Sequence, residues 1–279
     1  MTFAINSPLI MGILNVTPDS FSDGGQHNTP KQAITRALEM IKQGADIIDI
    51  GGESTRPGAK EVSAQEQIDR VIPVIKGIRD SQDSKAKKII ISIDTTDYTV
   101  AKRALEASVD WINDISAGTA GGAEQMIKLA ADKNVPIILM HRQGKSDRMQ
   151  DKPEYNDVCL EVKSYLQERA ELALKFGVAK DNIILDPGIG FGKLLKHNLA
   201  LLANLDALVA LGYPVLLGTS RKRFLGELLV QDDPKQRVIG TCATTALGVQ
   251  AGVKIFRVHD VIENKQAMEV SWAITSNKS

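Results

Sequence analysis

Carboxylate and carboxamide side chains recur at one kind of position in this chain, at the end of short apolar runs. Asp94 ends "KIIISID", Asn113 lies in "WINDIS", and Asp186 follows "NIIL". Carboxylates accept hydrogen bonds, and a carboxamide both donates and accepts them. If the runs are strands that end at one rim, these three groups form a hydrogen-bonding wall around a ligand.

Four cationic side chains, Arg56, Lys222, Arg257 and His259, lie near the ends of three other apolar runs or shortly after them. The chain carries 34 Lys plus Arg and 34 Asp plus Glu, so its formal net charge is zero. Such a chain has no overall field to hold a nucleic acid or an anionic membrane. We therefore interpret the cations as a local anion site.

Each of these residues also has a plainer explanation. A single aspartate at a strand end, such as Asp49, Asp94 or Asp186, is often a helix N-cap or a turn residue. Arg257 and His259 point the same way on an extended strand and could belong to a surface ion pair. The functional interpretation rests on finding several such residues at equivalent positions.

The segment "DPGIGFGK" (186–193) resembles a nucleotide-binding loop, but its spacing matches neither a P-loop nor a dinucleotide fingerprint. Its glycines suit a tight turn that a flat ligand approaches closely, or a turn alone. Phe191 within it could cover an aromatic substrate or pack on a rim. Lys222 could form a Schiff base, but it lies after its strand, so we favour a cationic hydrogen-bond donor.

Short apolar runs alternate with helical patterns about eight times along the 279 residues. This alternation predicts an α/β fold, a single-domain TIM (β/α)8 barrel over residues 1–279, in which the carboxyl ends of the strands build the site. Helix starts are indicated at Thr29-Pro30 and by capping-box spacing in 63–66 and 260–263. The apolar runs cover 9–14, 46–50, 88–94, 111–116, 136–141, 182–187, 214–218 and 254–258.

Some classes of protein are disfavoured by the sequence. No apolar run approaches the roughly 20 residues of a membrane helix, and the first ten residues lack the pattern of a signal peptide. Cys159 and Cys242 lie far apart, and the four histidines lack metal-ligand spacing, so neither a disulfide nor zinc is indicated. We expect a cytoplasmic protein that binds neither nucleic acid nor membrane.

Taken together, the motifs resemble those of dihydropteroate synthases, and the likeness covers nearly the whole chain. The motifs that carry it are "GILNVTPDSFSDGG", "DIIDIGGESTRPGA", "SIDT", "NDIS", "LMH", "ILDPGIGFGK", "GTSRKRFLG" and "FRVHD", in that order. The family joins 6-hydroxymethyl-7,8-dihydropterin diphosphate to p-aminobenzoate and releases 7,8-dihydropteroate and pyrophosphate.

The resemblance implies a role for each matching residue. It implies that Asn15 is the protein ligand of a Mg²⁺ cofactor that diphosphate and water also hold. Arg56, Arg257 and His259 match the diphosphate contacts, and Arg257 also stacks over the pterin. The pterin-binding residues are Asp94, Asn113, Asp186, Lys222 and Arg257, and those on the p-aminobenzoate side are Thr55, Pro57, Phe191 and Ser220.

The family's chemistry fits the residues present. Loss of diphosphate leaves a carbocation that the electron-rich dihydropterin stabilises, and an arylamine is nucleophilic at neutral pH without a strong general base. The chain accordingly shows no Ser-His-Asp or Cys-His pattern. We expect Asp49 to orient Arg56 rather than to carry protons.

Several further expectations follow from the resemblance. The loops after the first two strands suit flaps that close over diphosphate and metal. The uninterrupted "STRPGA" loop predicts sensitivity to sulfonamides, and the family's usual state predicts a homodimer. Arg223 and Leu194 depart from the commonest family pattern but replace none of the matched contacts.

Two alternatives remain at this point. A pterin-binding methyltransferase barrel shares the pterin wall but has no use for "TSRKRF" and "RVH". A catalytically silent paralogue would bind a pterin or another anion without turnover, although the chain retains Asn15, Lys222 and His259.

Overall fold

Eight short strands form one parallel sheet in the computed structural model, which describes residues 5–17, 30–53, 62–121, 124–144 and 153–277. Each strand lies within one of the predicted apolar runs or extends it by one residue. The strands are β1 (Leu9–Asn15), β2 (Ile47–Gly51), β3 (Ile90–Asp94), β4 (Trp111–Asp114), β5 (Ile137–Met140), β6 (Ile183–Asp186), β7 (Leu216–Leu217) and β8 (Ile255–Val258).

The sheet closes into a barrel. Its strand order is β6-β5-β4-β3-β2-β1-β8-β7, and each pair of neighbouring strands in this order is parallel. An isolated parallel bridge between Leu185 and Val215 joins the two ends of that order. β7 is only two residues long, so this side of the barrel has the shortest ladder. The predicted TIM (β/α)8 architecture is confirmed.

Helices follow the strands and cover the outside of the barrel. Two short 3-10 helices, Lys180–Asn182 and Pro234–Arg237, precede β6 and the helix before β8. The α-helices are α1 (Pro30–Lys42), α2 (Ala64–Arg79), α3 (Ser84–Lys88), α4 (Tyr98–Glu106), α5 (Gln125–Lys133), α6 (Val158–Lys175), α7 (Leu195–Ala203), α8 (Leu205–Val209), α9 (Arg223–Leu229), α10 (Val238–Ala251) and α11 (Val261–Ser276).

An apolar floor fills the amino-terminal half of the barrel interior. Successive side chains on a strand point to opposite faces, so the residue two places after a floor residue also points inward, nearer the carboxyl rim. On six of the eight strands, all except β5 and β7, the interior therefore changes from apolar to polar within one or two such steps. The floor consists of Met11, Ile47, Trp111, Ile138, Ile184, Leu216 and Ile255, with Ile90 packed against it.

A second, larger core lies between the barrel and the helices. It requires close approach where α10 crosses β8, because a Cβ on Gly248 would lie 2.7 Å from the ring of Phe256. Both faces of the strands are thus buried, as expected for an all-parallel sheet.

The helix starts agree in part with the sequence predictions. Ser63 caps α2 as predicted, with its side chain accepting from the backbone N–H of Glu66 at 3.2 Å. Pro30 is the first residue of α1. Asp260 precedes α11 but makes no side-chain cap, so the capping-box prediction there is wrong. Its carboxylate binds the guanidinium of Arg221 instead.

The two predicted flaps fall largely on 18–29 and 54–61, which lie outside the described residues. Among the helices that the structure does describe, none combines the length and the hydropathy needed to cross a membrane.

Candidate active site

A polar cup lies directly above the apolar floor, at the carboxyl ends of the strands. Each of its residues stands two or four places after a floor residue or Ile90 on the same strand, and each is contributed by a different strand. This placement follows from the alternation of side chains and brings together residues that are far apart in sequence. The cup is formed by Asn15, Asp49, Asp94, Asn113, Asp186 and Arg257.

Arg257 lies at the centre of the cup between two carboxylates. Its Nε donates to Asp49 Oδ2 and its Nη2 donates to Asp94 Oδ2, each at 2.6 Å. Asn113 Nδ2 donates to the same Asp49 oxygen at 3.0 Å. Asp49 therefore orients Arg257. The expected partner Arg56 lies outside the described residues, so that prediction stays untested.

Burial and charge shift the pKa values of this cluster in opposite directions. Burial raises the pKa of Asp94 to about 7, although the charge of Arg257 opposes the rise and Asp49 adds to it. Burial lowers the pKa of Arg257, but the carboxylates of Asp49 and Asp94 outweigh it and hold that pKa above its ordinary value. Arg257 is thus a permanent cation, and Asp94 can exchange a proton near neutral pH.

Two buried oxygens of the cup, Asp49 Oδ1 and Asp94 Oδ1, have no hydrogen-bond partner among the described residues, and neither has Ser92 Oγ, two places before Asp94 on β3. An unpaired buried polar group destabilises a fold by about 1–3 kcal/mol. The cup is therefore prepared for a ligand that supplies N–H donors, whose binding recovers that energy.

A second group of side chains surrounds the turn after β6. Asp186 Oδ1 accepts from the backbone N–H of Gly188 at 2.7 Å. Lys222 Nζ donates to the carbonyl of Ile189 and lies 4.6 Å from the centre of the Phe191 ring. Burial lowers the pKa of Lys222 to about 8, with Arg257 adding to the shift and Asp186 opposing it. Lys222 is mainly protonated at pH 7 and acts as a donor.

His259 and Ser220 form a pair beside this group. Ser220 Oγ accepts from the backbone N–H of His259 at 3.0 Å and lies 2.9 Å from its Nδ1. The geometry leaves the direction of the second contact open, and we assign the hydroxyl proton to Nδ1, which places a ring proton of His259 on Nε2. With its proton on Nε2, the His259 ring can donate to an anion. Arg221, which follows Ser220 in the chain, is bound to Asp260.

Asn15 ends β1 and lies on the same side of the cup as Asp94. Asn15 Oδ1 and Asp94 Oδ2 both lie 3.7 Å from the place that a Cβ on Gly51 would occupy. A carboxamide oxygen is a hard ligand suited to Mg²⁺. Within the described residues no group of three or more His, Cys, Asp or Glu could hold a metal. By its donor chemistry, the Asn15 carboxamide is thus suited to bind one face of a Mg²⁺ ion.

The structure describes nine of the twelve predicted site residues and brings them to one rim. Thr55, Arg56 and Pro57 lie outside the described residues. Sequence reasoning missed two residues at the edge of the cup, His141 and Lys193, which contact each other at 2.9 Å. Lys193 could have been found from the motif "DPGIGFGK", of which it is the last residue. It was given no role once the nucleotide-loop interpretation of that motif was set aside.

Comparisons with known proteins agree with this geometry. The family model for pterin binding enzymes matches residues 11–259. A dihydropteroate synthase of Synechocystis sp. is 47% identical over 265 residues, which cover 95% of this chain and 89% of the relative.

Solved structures extend the likeness to the whole barrel. The Yersinia pestis dihydropteroate synthase in a sulfonamide drug complex has a TM-score of 0.90 and 43% identity, covering 99% of this chain and 97% of that chain. The Xanthomonas albilineans dihydropteroate synthase with 4-aminobenzoic acid has a TM-score of 0.89 and 42% identity, covering 99% and 96%. With identity at this level over nearly its full length, the chain belongs to the dihydropteroate synthase family of transferases.

Proposed function

We propose that this chain is a single barrel domain that joins 6-hydroxymethyl-7,8-dihydropterin diphosphate to p-aminobenzoate in the polar cup, with the residue roles given below. The observation that carries the proposal is the buried, unpaired Oδ1 of Asp94, whose other oxygen is held by Arg257. A pterin presents adjacent N–H donors along its aminopyrimidinone edge. A buried carboxylate is the acceptor that such an edge requires.

The pterin binds on the wall formed by β3, β4 and β6. Asp94 and Asp186 accept its N–H groups, and Asn113 and Lys222 supply donors for its carbonyl and ring nitrogen. The two carboxylates fix one edge of the Arg257 guanidinium, so its plane is held for stacking over the ring.

The diphosphate binds on the cationic side of the cup. His259, with its ring proton on Nε2, and Arg257 donate to it, and Arg56 is assigned the same role from its motif. Asn15 would be the protein ligand for Mg²⁺, and the metal, when bound, would supply positive charge next to the leaving group. The start of α11 adds backbone N–H groups to this side.

The reaction breaks the bond between the exocyclic methylene carbon and the diphosphate oxygen, and the electron pair leaves with diphosphate. The arylamine nitrogen then forms the new C–N bond and loses its extra proton to solvent. Phe191 and Ser220, with Thr55 and Pro57, hold p-aminobenzoate for this attack. Positioning two substrates in one cup does most of the catalytic work, so no strong base is required.

The first prediction concerns turnover. With Mg²⁺ and the dihydropterin diphosphate, the purified protein releases pyrophosphate only when p-aminobenzoate is present, and Lys222→Ala lowers that rate at least about 100-fold because it removes a donor to the pterin. The measurement is a coupled pyrophosphate assay. The matched control is Arg223→Ala, since the Arg223 side chain is 81% exposed and pairs with Glu227 on its own helix.

Two results would contradict the turnover prediction. Pyrophosphate release that ignores p-aminobenzoate would mean hydrolysis rather than condensation. Calorimetric pterin binding without any release would instead favour a silent paralogue.

The second prediction concerns pH. Because the pKa of Asp94 is about 7, the protonated acid predominates below that pH and cannot accept two N–H bonds. The affinity for the pterin alcohol, which lacks the titrating diphosphate, falls by up to about fivefold from pH 7 to pH 6, because the ionised fraction of Asp94 drops from about one half to about one tenth. Isothermal calorimetry measures this affinity at each pH, and we expect Asp94→Asn to abolish its pH dependence. Equal wild-type affinities at pH 6 and pH 7.5 would refute the assignment.

The third prediction concerns sulfonamides. A sulfonamide occupies the p-aminobenzoate side of the cup and competes with that substrate, so raising p-aminobenzoate restores the rate. Steady-state inhibition at several p-aminobenzoate concentrations measures this. Unchanged turnover at saturating sulfonamide and limiting p-aminobenzoate would be incompatible with it.

The fourth prediction concerns the homodimer. Apolar side chains are exposed after α9 (Val230, 92%) and on α10 (Ile239, 84%; Leu247, 58%), and we assign the dimer contact to this side of the barrel. We expect the wild type to be dimeric and the double variant Ile239→Glu/Leu247→Glu to be monomeric in light scattering. Leu160→Glu, on α6 and 60% exposed, is the control that stays dimeric. A monomeric wild type would overturn the assignment.

A further inference from the structure

We propose that Lys193 is a positioning residue that sets the affinity for the arylamine substrate by holding the turn between β6 and α7. This inference rests on the proposed function, because it assigns Phe191 to the p-aminobenzoate side. None of the substrate-binding assignments above includes Lys193.

The amine of Lys193 is almost completely enclosed, with 3% of the residue exposed. Its Nζ lies 3.0 Å from the carbonyl oxygen of Gly188, 3.1 Å from that of Phe191 and 3.3 Å from that of His141. The Nδ1 atom of the His141 ring lies 2.9 Å away. One side chain thus joins both ends of the turn to the end of β5.

The protonation states follow from these four contacts. An ammonium has three protons and no acceptor, so His141 Nδ1 must accept and the ring proton lies on Nε2. Burial and the charge of Lys193 lower the pKa of His141 to about 3, which keeps the ring neutral. Burial lowers the pKa of Lys193 to about 7, while Asp186 opposes the shift. Below that pH the ammonium can satisfy three acceptors at once.

At its start, the turn between β6 and α7 packs tightly against the end of β5. Gly188 has φ +64°, and a Cβ there would overlap the carbonyl oxygen of His141. The same carbonyl is one of the four acceptors around Lys193. The backbone of the turn and the end of β5 are therefore packed directly against each other, with the ammonium between their carbonyl groups.

The turn presents two groups to the substrates. The Ile189 carbonyl accepts from Lys222, and the Phe191 ring lies below the Lys222 amine. Phe191 is also the residue whose carbonyl Lys193 holds, so loss of the ammonium acts first on the position of this ring. Two pterin residues also bond the turn, Asp186 at Gly188 and Lys222 at Ile189, but both are anchored outside it, on β6 and after β7. The other two, Asp94 and Asn113, lie on β3 and β4 and make none of these bonds. Phe191 is itself part of the turn, so Lys193 acts more on the arylamine side than on the pterin wall.

Two outer bonds hold the rest of the turn. Asn198 Oδ1 accepts from the N–H of Gly190 at 2.7 Å, and the Tyr155 hydroxyl donates to the carbonyl of Gly192 at 2.8 Å. Removing the ammonium alone therefore loosens the turn around Phe191 without releasing it entirely. This separation makes the proposal testable in a folded protein.

The test is Lys193→Met, which keeps the length of the side chain and removes its three donors. We expect the KM for p-aminobenzoate to rise about tenfold, while the calorimetric dissociation constant of the pterin alcohol changes less than about threefold. The control is Lys196→Met, the same change at an exposed lysine on α7, with both constants unchanged. Unaltered KM, or equal losses for both ligands, would overturn the proposal, because a purely structural lysine affects both sides alike.

A milder variant decides the question if Lys193→Met fails to fold. Tyr155→Phe removes only the outer bond to Gly192, and we expect a twofold to threefold rise in the KM for p-aminobenzoate with the pterin constant unchanged. No change in that KM would then refute the role of the turn. Absence of wild-type turnover contradicts the proposed function, whereas normal wild-type turnover with unaltered variant constants contradicts only the role of Lys193.

Discussion

The polar cup depends on one buried guanidinium. Arg257 reaches from β8 to Asp49 on β2 and Asp94 on β3, through two charge-assisted bonds of 2.6 Å. Removing one partner from such a buried pair typically destabilises a protein by about 3–5 kcal/mol, because the remaining charge is left uncompensated. Without Arg257, the carboxylates of the cup would lie close together without a central cation. The carboxylate wall that the proposed chemistry requires is therefore stable only because the cation lies within it.

The cup also retains polar groups that the fold itself does not satisfy. Asp49 and Asp94 each leave one buried oxygen without a partner among the described residues, and Asp94 has a raised pKa. The apolar floor compensates for this, since each fully buried aliphatic side chain contributes roughly 1.5–3 kcal/mol. Stability is concentrated in the lower half of the barrel, and binding capacity is concentrated in the upper half.

The arylamine side is organised by different means. Its described residues lie on turns after β6 and β7 rather than on strands, and buried side chains hold those turns. Lys193 gathers carbonyl groups around one ammonium, and Ser220 holds both the backbone and the ring of His259. Precision on this side therefore comes from tertiary contacts to the loops, whereas on the pterin side it comes from the register of the sheet.

Much of the fold and part of the site could be predicted because the relevant signals are local. A parallel strand buried on both faces gives a short apolar run, and the residue at its carboxyl end is evident once the barrel is recognised. The placement of Asp94, Asn113 and Asp186 follows in this way. The prediction failed at Asp260, where capping-box spacing was present but the carboxylate found a stronger partner in Arg221.

The sequence by itself thus determined the eight strands, the polar residues at the carboxyl ends of several of them, and the family. The tertiary structure alone decided the partners: Arg257 with Asp49, 208 residues apart, and Lys193 with His141, 52 residues apart. Apolar periodicity and strand-end residues depend on neighbours within one element, so a single chain records them. The partner of a buried charge depends on which strands and turns meet at the rim, and that is settled only when the barrel closes.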